Sequence, residues 1–210
     1  MDFETTVTPI TNTIQKNLLL IDSRVNDYNI IINAANDSTM VIVFNYFHDT
    51  ITTIKEKVRD KCNEVIVANT AAGGVTEVKV KVVISAVGLI QHNYPDSQVY
   101  QIVNTTPGFI LVGVSTHDPE LTTWLSFHEI LQWFHTEYNT IYFDMMACAL
   151  YSNPDWKYVI DTINTRWRGE GGVVEITVRA STDLTGAASL GGNWFLESHT
   201  GVNVKTVYFT

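Results

Sequence analysis

The chain has 210 residues, 45% hydrophobic and 17% charged, which suits one sizeable core and leaves too little for two full domains. Its 22 acidic and 13 basic residues give a formal charge of −9. With no Lys/Arg cluster, this excludes non-specific binding to nucleic acid or anionic membranes, both of which need a basic surface. No apolar run approaches about 20 residues, so no membrane span is expected. Met1–Thr13 is polar and Thr-rich, without the features of a secretory leader. The two cysteines, Cys62 and Cys148, form neither a disulfide framework nor a zinc-ligand spacing. They predict free thiols, a reducing compartment and no metal or other cofactor.

Residues 1–17 read as a polar arm and 18–210 as one α/β domain. Leu18–Asp22 is a first strand, followed by a helix over Val25–Ala35 with Val25, Tyr28, Ile31 and Ile32 at helical spacing. Met40–Asn45 is a second buried strand, and Asp49 is expected to cap a helix over Thr50–Cys62. This βαβα opening implies parallel pairing. Asn69–Gly74 predicts a loop, and the Val78/Val80/Val82 alternation with Lys79 and Lys81 predicts an edge or half-exposed hairpin arm leading into a strand over Val83–Ile90. Phe109–Val114 is a further strand, and Pro119–Tyr138 a helix with Asp118 as its cap.

Thr140–Cys148 is almost uninterruptedly apolar, as a central strand covered on both faces must be. Cys148 falls at its carboxyl end, where open α/β sheets place ligands and chemistry. Pro154 opens a helix that runs to Arg166 or Trp167. Val173–Ala180 is a strand, Ser181–Gly192 a polar connection, and Asn193–Glu197 with Val202–Thr210 a closing hairpin.

Ala180–Gly201 reads Ala-Ser-Thr-Asp-Leu-Thr-Gly, a spacer, then Gly-Gly-Asn-Trp-Phe-Leu-Glu-Ser-His-Thr-Gly. It resembles the carboxyl-terminal signature of a family of unknown function found in large bacterial repeat-containing surface proteins and in proteins of large DNA viruses. Its residues here are Ser181, Asp183, Thr185, Gly186, Gly191, Gly192, Trp194 and Glu197. Upstream, Leu20-Ile21-Asp22-Ser23 and Met145–Trp156 resemble the family's opening strand and its Cys-bearing strand with the helix after it, so the likeness extends from about Leu18 to the end. Asp155-Trp156-Lys157 and the closing Val207–Thr210 look more like the viral branch.

That family is similar in layout to caspase-like and gingipain-like cysteine peptidases. The resemblance implies a single-domain, caspase-like three-layer α/β sandwich, with a mostly parallel central sheet, helices on both faces and a carboxyl-terminal hairpin. It implies a general base at His92 and a thiol nucleophile at Cys148, with backbone N–H groups beside them holding the oxyanion. The glycines expected after the His and before the Cys are Asn93 and Ala147 here, and a Cβ at either obstructs the backbone approach.

The apolar neighbours of Cys148 favour a buried thiol over a nucleophile, and no nearby cation lowers its pKa. His117 is a rival base. His128 and His135 share a helix face without a third metal ligand. Asp and Thr in the signature favour local turns, and Trp194 buried surface. The expectation is therefore a structural or protein-interaction module within a larger assembly, a virion by the viral likeness, with other proteins as partners and a degenerate dyad. The alternative is a cysteine hydrolase using Cys148 and His92.

Overall fold

In the computed structural model the described residues are 11–25, 27–45, 47–73, 77–88, 99–101, 110–112, 122–147, 149–152, 154–166, 176–186, 191–199 and 201–210. They form a mixed α/β fold around a five-stranded parallel sheet. In chain order the elements are β1 (Thr11–Asp22), α1 (Tyr28–Ala34), β2 (Thr39–Phe44), α2 (Ile51–Gly73), β3 (Glu77–Gly88), β4 (Val99–Gln101), β5 (Ile110–Val112) and α3 (Thr122–Tyr138). After these come β6 (Tyr142–Met146), α4 (Pro154–Arg166), β7 (Thr177–Ala180), β8 (Phe195–Leu196), β9 (Val202–Asn203) and α5 (Val204–Tyr208). The sheet order is β2-β1-β3-β6-β7, all neighbours parallel. The chain therefore winds outward in both directions from β1, and the switch point lies between β1 and β3.

The apolar run Leu18–Ile21 shows why β1 is central. Leu18 and Leu20 join one core with Ile54 and Val58 of α2, Leu131 and Phe134 of α3, and Trp156 and Ile160 of α4. Leu19 and Ile21 point to the other face and join Leu196, Val204 and Tyr208, with α1 packed alongside through Tyr28, Ile31 and Ile32. Side chains alternate across a strand, so unbroken apolarity demands two covered faces.

Several boundaries differ from the sequence reading. β1 starts at Thr11, so part of the expected arm is strand; Thr11–Lys16 pairs with Glu77–Val82 of β3, where Val80 reaches the core while Asn12–Lys16 stay exposed or half-buried, so polar side chains are tolerated. The same pairing makes Val78–Val82 part of one long central strand, and no hairpin arm forms there. α2 runs on through the expected loop as far as Gly73: Asn69 Nδ2 and Thr70 Oγ1 donate to the carbonyls of Val65 and Ile66, both at 2.8 Å, and so stay within the helical ladder. Its cap is Thr50, whose Oγ1 accepts from Thr53 N at 3.1 Å. Asp49 instead accepts from Asn45 N and Lys57 Nζ, both at 2.6 Å.

β5 lies outside the main sheet, antiparallel to β4. The closing hairpin is only β8 with β9, after which Val204, Val207 and Tyr208 follow helical rather than strand spacing and Asn203 caps α5 through Lys205 N at 3.0 Å.

The free edge of β7 is closed by Asn164 and Ser198. Asn164 of α4 both donates to Val178 O and accepts from Val178 N, each at 2.9 Å. Ser198 does the same for Ala180, with Ala180 N to Ser198 Oγ at 2.7 Å and Ser198 N to Ala180 O at 3.1 Å. These bonds take up groups that would otherwise template another strand.

Asp144, with no exposed surface, faces Arg179 directly in register across β6 and β7. Arg179 donates through Nε at 2.5 Å and Nη2 at 2.7 Å, and Tyr208 of α5 donates its hydroxyl at 2.8 Å. Removing one member of such a group strands a buried charge. Asp144→Ala is expected to cost about 3–5 kcal/mol. Tyr208→Phe, which keeps the ion pair and the ring, should cost about 1–3 kcal/mol. Urea unfolding followed by circular dichroism measures both, and equal costs for the two would contradict the account.

Candidate functional site

His92 and Cys148 both lie outside the described residues, as does His117. What is described is the frame that leads to them. β3 and β6 are neighbours, and their last described strand residues Gly88 and Met146 are partners in register, with His92 and Cys148 following them in sequence.

The residues on either side of Cys148 are described in detail. Ala147 is buried, and its N–H donates to Met145 O at 3.1 Å. Ala149 has a φ of 53°, a left-handed conformation that costs a residue with a Cβ roughly 1 kcal/mol, and its N–H donates to Asp183 O at 2.6 Å. Tyr151 N donates to Ser181 O at 2.8 Å and Ser152 Oγ to Thr182 O at 2.5 Å. The turn after β6 is thus sewn to the segment that carries the signature. Both backbone amides flanking Cys148 are spent inside the protein.

The signature segment is itself cross-bonded. Ser181 Oγ accepts from Asp183 N and donates to the Asp183 carboxylate, each at 3.1 Å. Asn193 Nδ2 reaches Asp183 Oδ2 at 2.8 Å and Glu197 Oε1 at 3.2 Å, while Glu197 Oε2 accepts from Thr182 N at 2.8 Å. Burial opposes ionisation of Glu197, yet these donors outweigh it and hold its pKa below the ordinary carboxylate range.

Gly186, at φ 76°, lies under the Trp194 ring, where a Cβ would come within 2.9 Å of ring carbons. At Gly192 a Cβ would collide with the Leu184 carbonyl, while Gly191, at φ 82°, has open space and is required for its backbone alone. Two details differ from expectation. The Thr185 hydroxyl is buried without a hydrogen-bond partner among the described residues, and Trp194 is only half-buried.

Asp22 ends β1 at the switch point, almost fully buried. It accepts from Arg24 N and from Arg24 Nε, both at 2.9 Å. The Arg24 guanidinium also stands 5.6 Å from the centre of the Phe47 ring. His135 Nδ1 lies 3.1 Å from Thr140 O, while the side chain of His128 lies outside the description. Among the described residues no group of three His, Cys, Asp or Glu side chains is placed to hold a metal ion. No helix among them is long and apolar enough to cross a membrane.

The sequence reading missed Asp144 and Arg179. The signal was present in the lone carboxylate inside the apolar Thr140–Cys148 run and the lone cation in Ile176–Ala180, since buried charges occur in pairs. Arg179 also stacks over Tyr142, with Cζ 4.2 Å from the ring centre.

A family model described as a domain of unknown function (DUF4347) matches residues 171–210. That stretch holds β7, the signature segment, the hairpin and α5. The match does not extend over the longer stretch from Leu18 that the resemblance implies. No curated protein and no solved structure matches the chain.

Two measurements test the wiring. Gly186→Ala should destabilise the fold by about 1–3 kcal/mol, through overpacking against Trp194 and a disfavoured φ; a neutral melt would contradict the geometry. Because the folded pKa of Glu197 is lowered, its ionisation stabilises the fold above the unfolded carboxyl pKa of about 4.3, and that contribution disappears as pH falls through the folded value. Glu197→Gln should therefore lose stability at pH 7 and show a shallower decline between about pH 5 and pH 2 than the parent chain. Parallel curves in acid melts would refute this.

Proposed function

We propose that this chain is a structural or protein-interaction module, of caspase-like layout and virion-associated, whose His92 and Cys148 are the remnant of a catalytic dyad. The observation that carries this reading is the fate of the amides beside Cys148. An oxyanion needs backbone donors aimed at it and free of other bonds. Ala147 N–H is committed to Met145 O and Ala149 N–H to Asp183 O, and the latter bond is also what holds Ala149 in its left-handed turn. The acidic balance of the chain, −9 overall, further supports proteins rather than nucleic acid as partners.

The alternative reading is a cysteine hydrolase with Cys148 as nucleophile and His92 as base. It is favoured by the adjacency of β3 and β6, whose carboxyl ends are in register and precede the two residues. The two readings predict different thiol chemistry. A thiol without an activating base alkylates as its own thiolate forms, so the rate with iodoacetamide should climb through neutral pH and level off only above about 8.5.

Cys62 does not obscure the measurement. It is buried, and burial pushes its thiol up to about 11 against the opposing effect of a hydrogen bond with Tyr138. The Cys62→Ser variant should therefore label as the parent chain does. Rapid labelling that already saturates at acid pH, together with peptide or ester hydrolysis abolished in Cys148→Ala, would establish the hydrolase and sink the module.

A further inference from the structure

α1 packs on β1 and β2 through Tyr28, Ile31 and Ile32, yet its Ile30 is 67% exposed. Ile30 and Ile31 form one side of an apolar groove of about 560 Å³. The other side is built by the signature segment and the chain's last turn: Trp194 and Phe209 meet edge to face, their ring centres 5.5 Å apart. Two charged residues line the same groove, Asp27 before α1 and Lys205 on α5.

The Asp27 side chain does not cap its helix. Among the described residues neither its carboxylate nor the Lys205 ammonium has an ion-pair or hydrogen-bond partner. The groove therefore offers an apolar bed, one unpaired anion and one unpaired cation. A purely apolar occupant would desolvate both charges without compensation, and an anionic lipid surface would meet Asp27 and the overall negative charge. An occupant that carries its own two charges around an apolar anchor meets neither objection, and paired rim charges also fix its direction.

We propose that this groove docks a segment of a partner protein in which a bulky apolar side chain is flanked by one basic and one acidic residue. The basic residue pairs with Asp27, the acidic one with Lys205, and the apolar anchor lies against Ile30 and Trp194. The proposal rests on the module reading and names the kind of partner that module takes.

The test is selection of a displayed random heptapeptide library on the full chain, with enriched peptides then synthesised and titrated. The expected result is a shared pattern of an apolar residue between opposite charges. Affinity should fall at least tenfold in Ile30→Asp, whose exposed position leaves the fold intact, as a thermal melt checks. Lys205→Glu should weaken the selected peptides similarly and be rescued by peptides in which the acidic residue is exchanged for Lys. No enrichment, or peptides that bind the parent chain and Ile30→Asp equally, would overturn the proposal. So would a concentration-dependent dimer abolished by Ile30→Asp, which assigns the groove to a second copy of this chain. Failure here with ordinary Cys148 alkylation removes the groove alone, whereas acid-saturating alkylation removes the module reading itself.

Discussion

The carboxylate of Asp144 is the charge around which the carboxyl-terminal half of the fold is arranged. It sits on a strand covered on both faces, where an isolated ion would cost several kcal/mol. It is tolerated because Arg179 is its partner in register and Tyr208 supplies a third hydrogen bond. Slipping β7 by one residue would carry Arg179 to the opposite face, into the cluster of Trp156, Val159 and Ile160, and leave Asp144 alone. The ion pair thus contributes less through its net energy than by penalising every register except one. The Tyr208 hydroxyl extends the same selection to α5, because only one seat of that short helix places the phenol against Asp144.

With β7 fixed, everything attached to it is placed. Ser198 and Asn164 close its outer edge, and the signature segment leaves its carboxyl end to bond the turn after β6. Ala149–Ser152 are therefore positioned from the signature side as well as from their own strand. A turn held this way has its amides fixed by neighbours, which suits a scaffold. A catalytic turn must keep at least some of its amides for the reacting group.

The central architecture was legible because strands covered on both faces must be unbroken apolar runs. Leu18–Asp22 lies within β1, Met40–Asn45 overlaps β2, Thr140–Cys148 contains β6, and Pro154 begins its helix as its missing N–H predicts. Illegible parts had a physical reason in each case. The polar stretch Thr11–Asn17 carries little hydrophobic signal because its side chains from Asn12 on stay exposed or half-buried, even where β3 sends Val80 into the core. Asn69 and Thr70 look like loop formers, but their side chains can satisfy carbonyls one turn back as readily as they break a helix. Val204–Tyr208 is β-branched and aromatic, and its helical form is set by the local Asn203 cap together with the seat for Tyr208, which is a tertiary fact. The candidate residues His92 and Cys148 could be named from sequence alone, whereas the bonding of the amides beside Cys148 could not, since no residue pattern encodes which carbonyl Ala149 meets.

The signature segment has two working sides. One, through Ser181, Thr182 and Asp183, meets the turn beyond β6; the other, through Trp194, forms a wall of the groove beside α1. Gly186 joins them, because its missing Cβ lets the Trp194 ring lie directly on the backbone while its N–H bonds Asn193 O at 2.6 Å. The indole is therefore backed by main chain rather than by mobile side chains. A wall built so loses little conformational freedom when something lies against it, and that lowers the entropic cost of binding. The packing that leaves no room for a Cβ at Gly186 is the same packing that makes Trp194 a rigid surface.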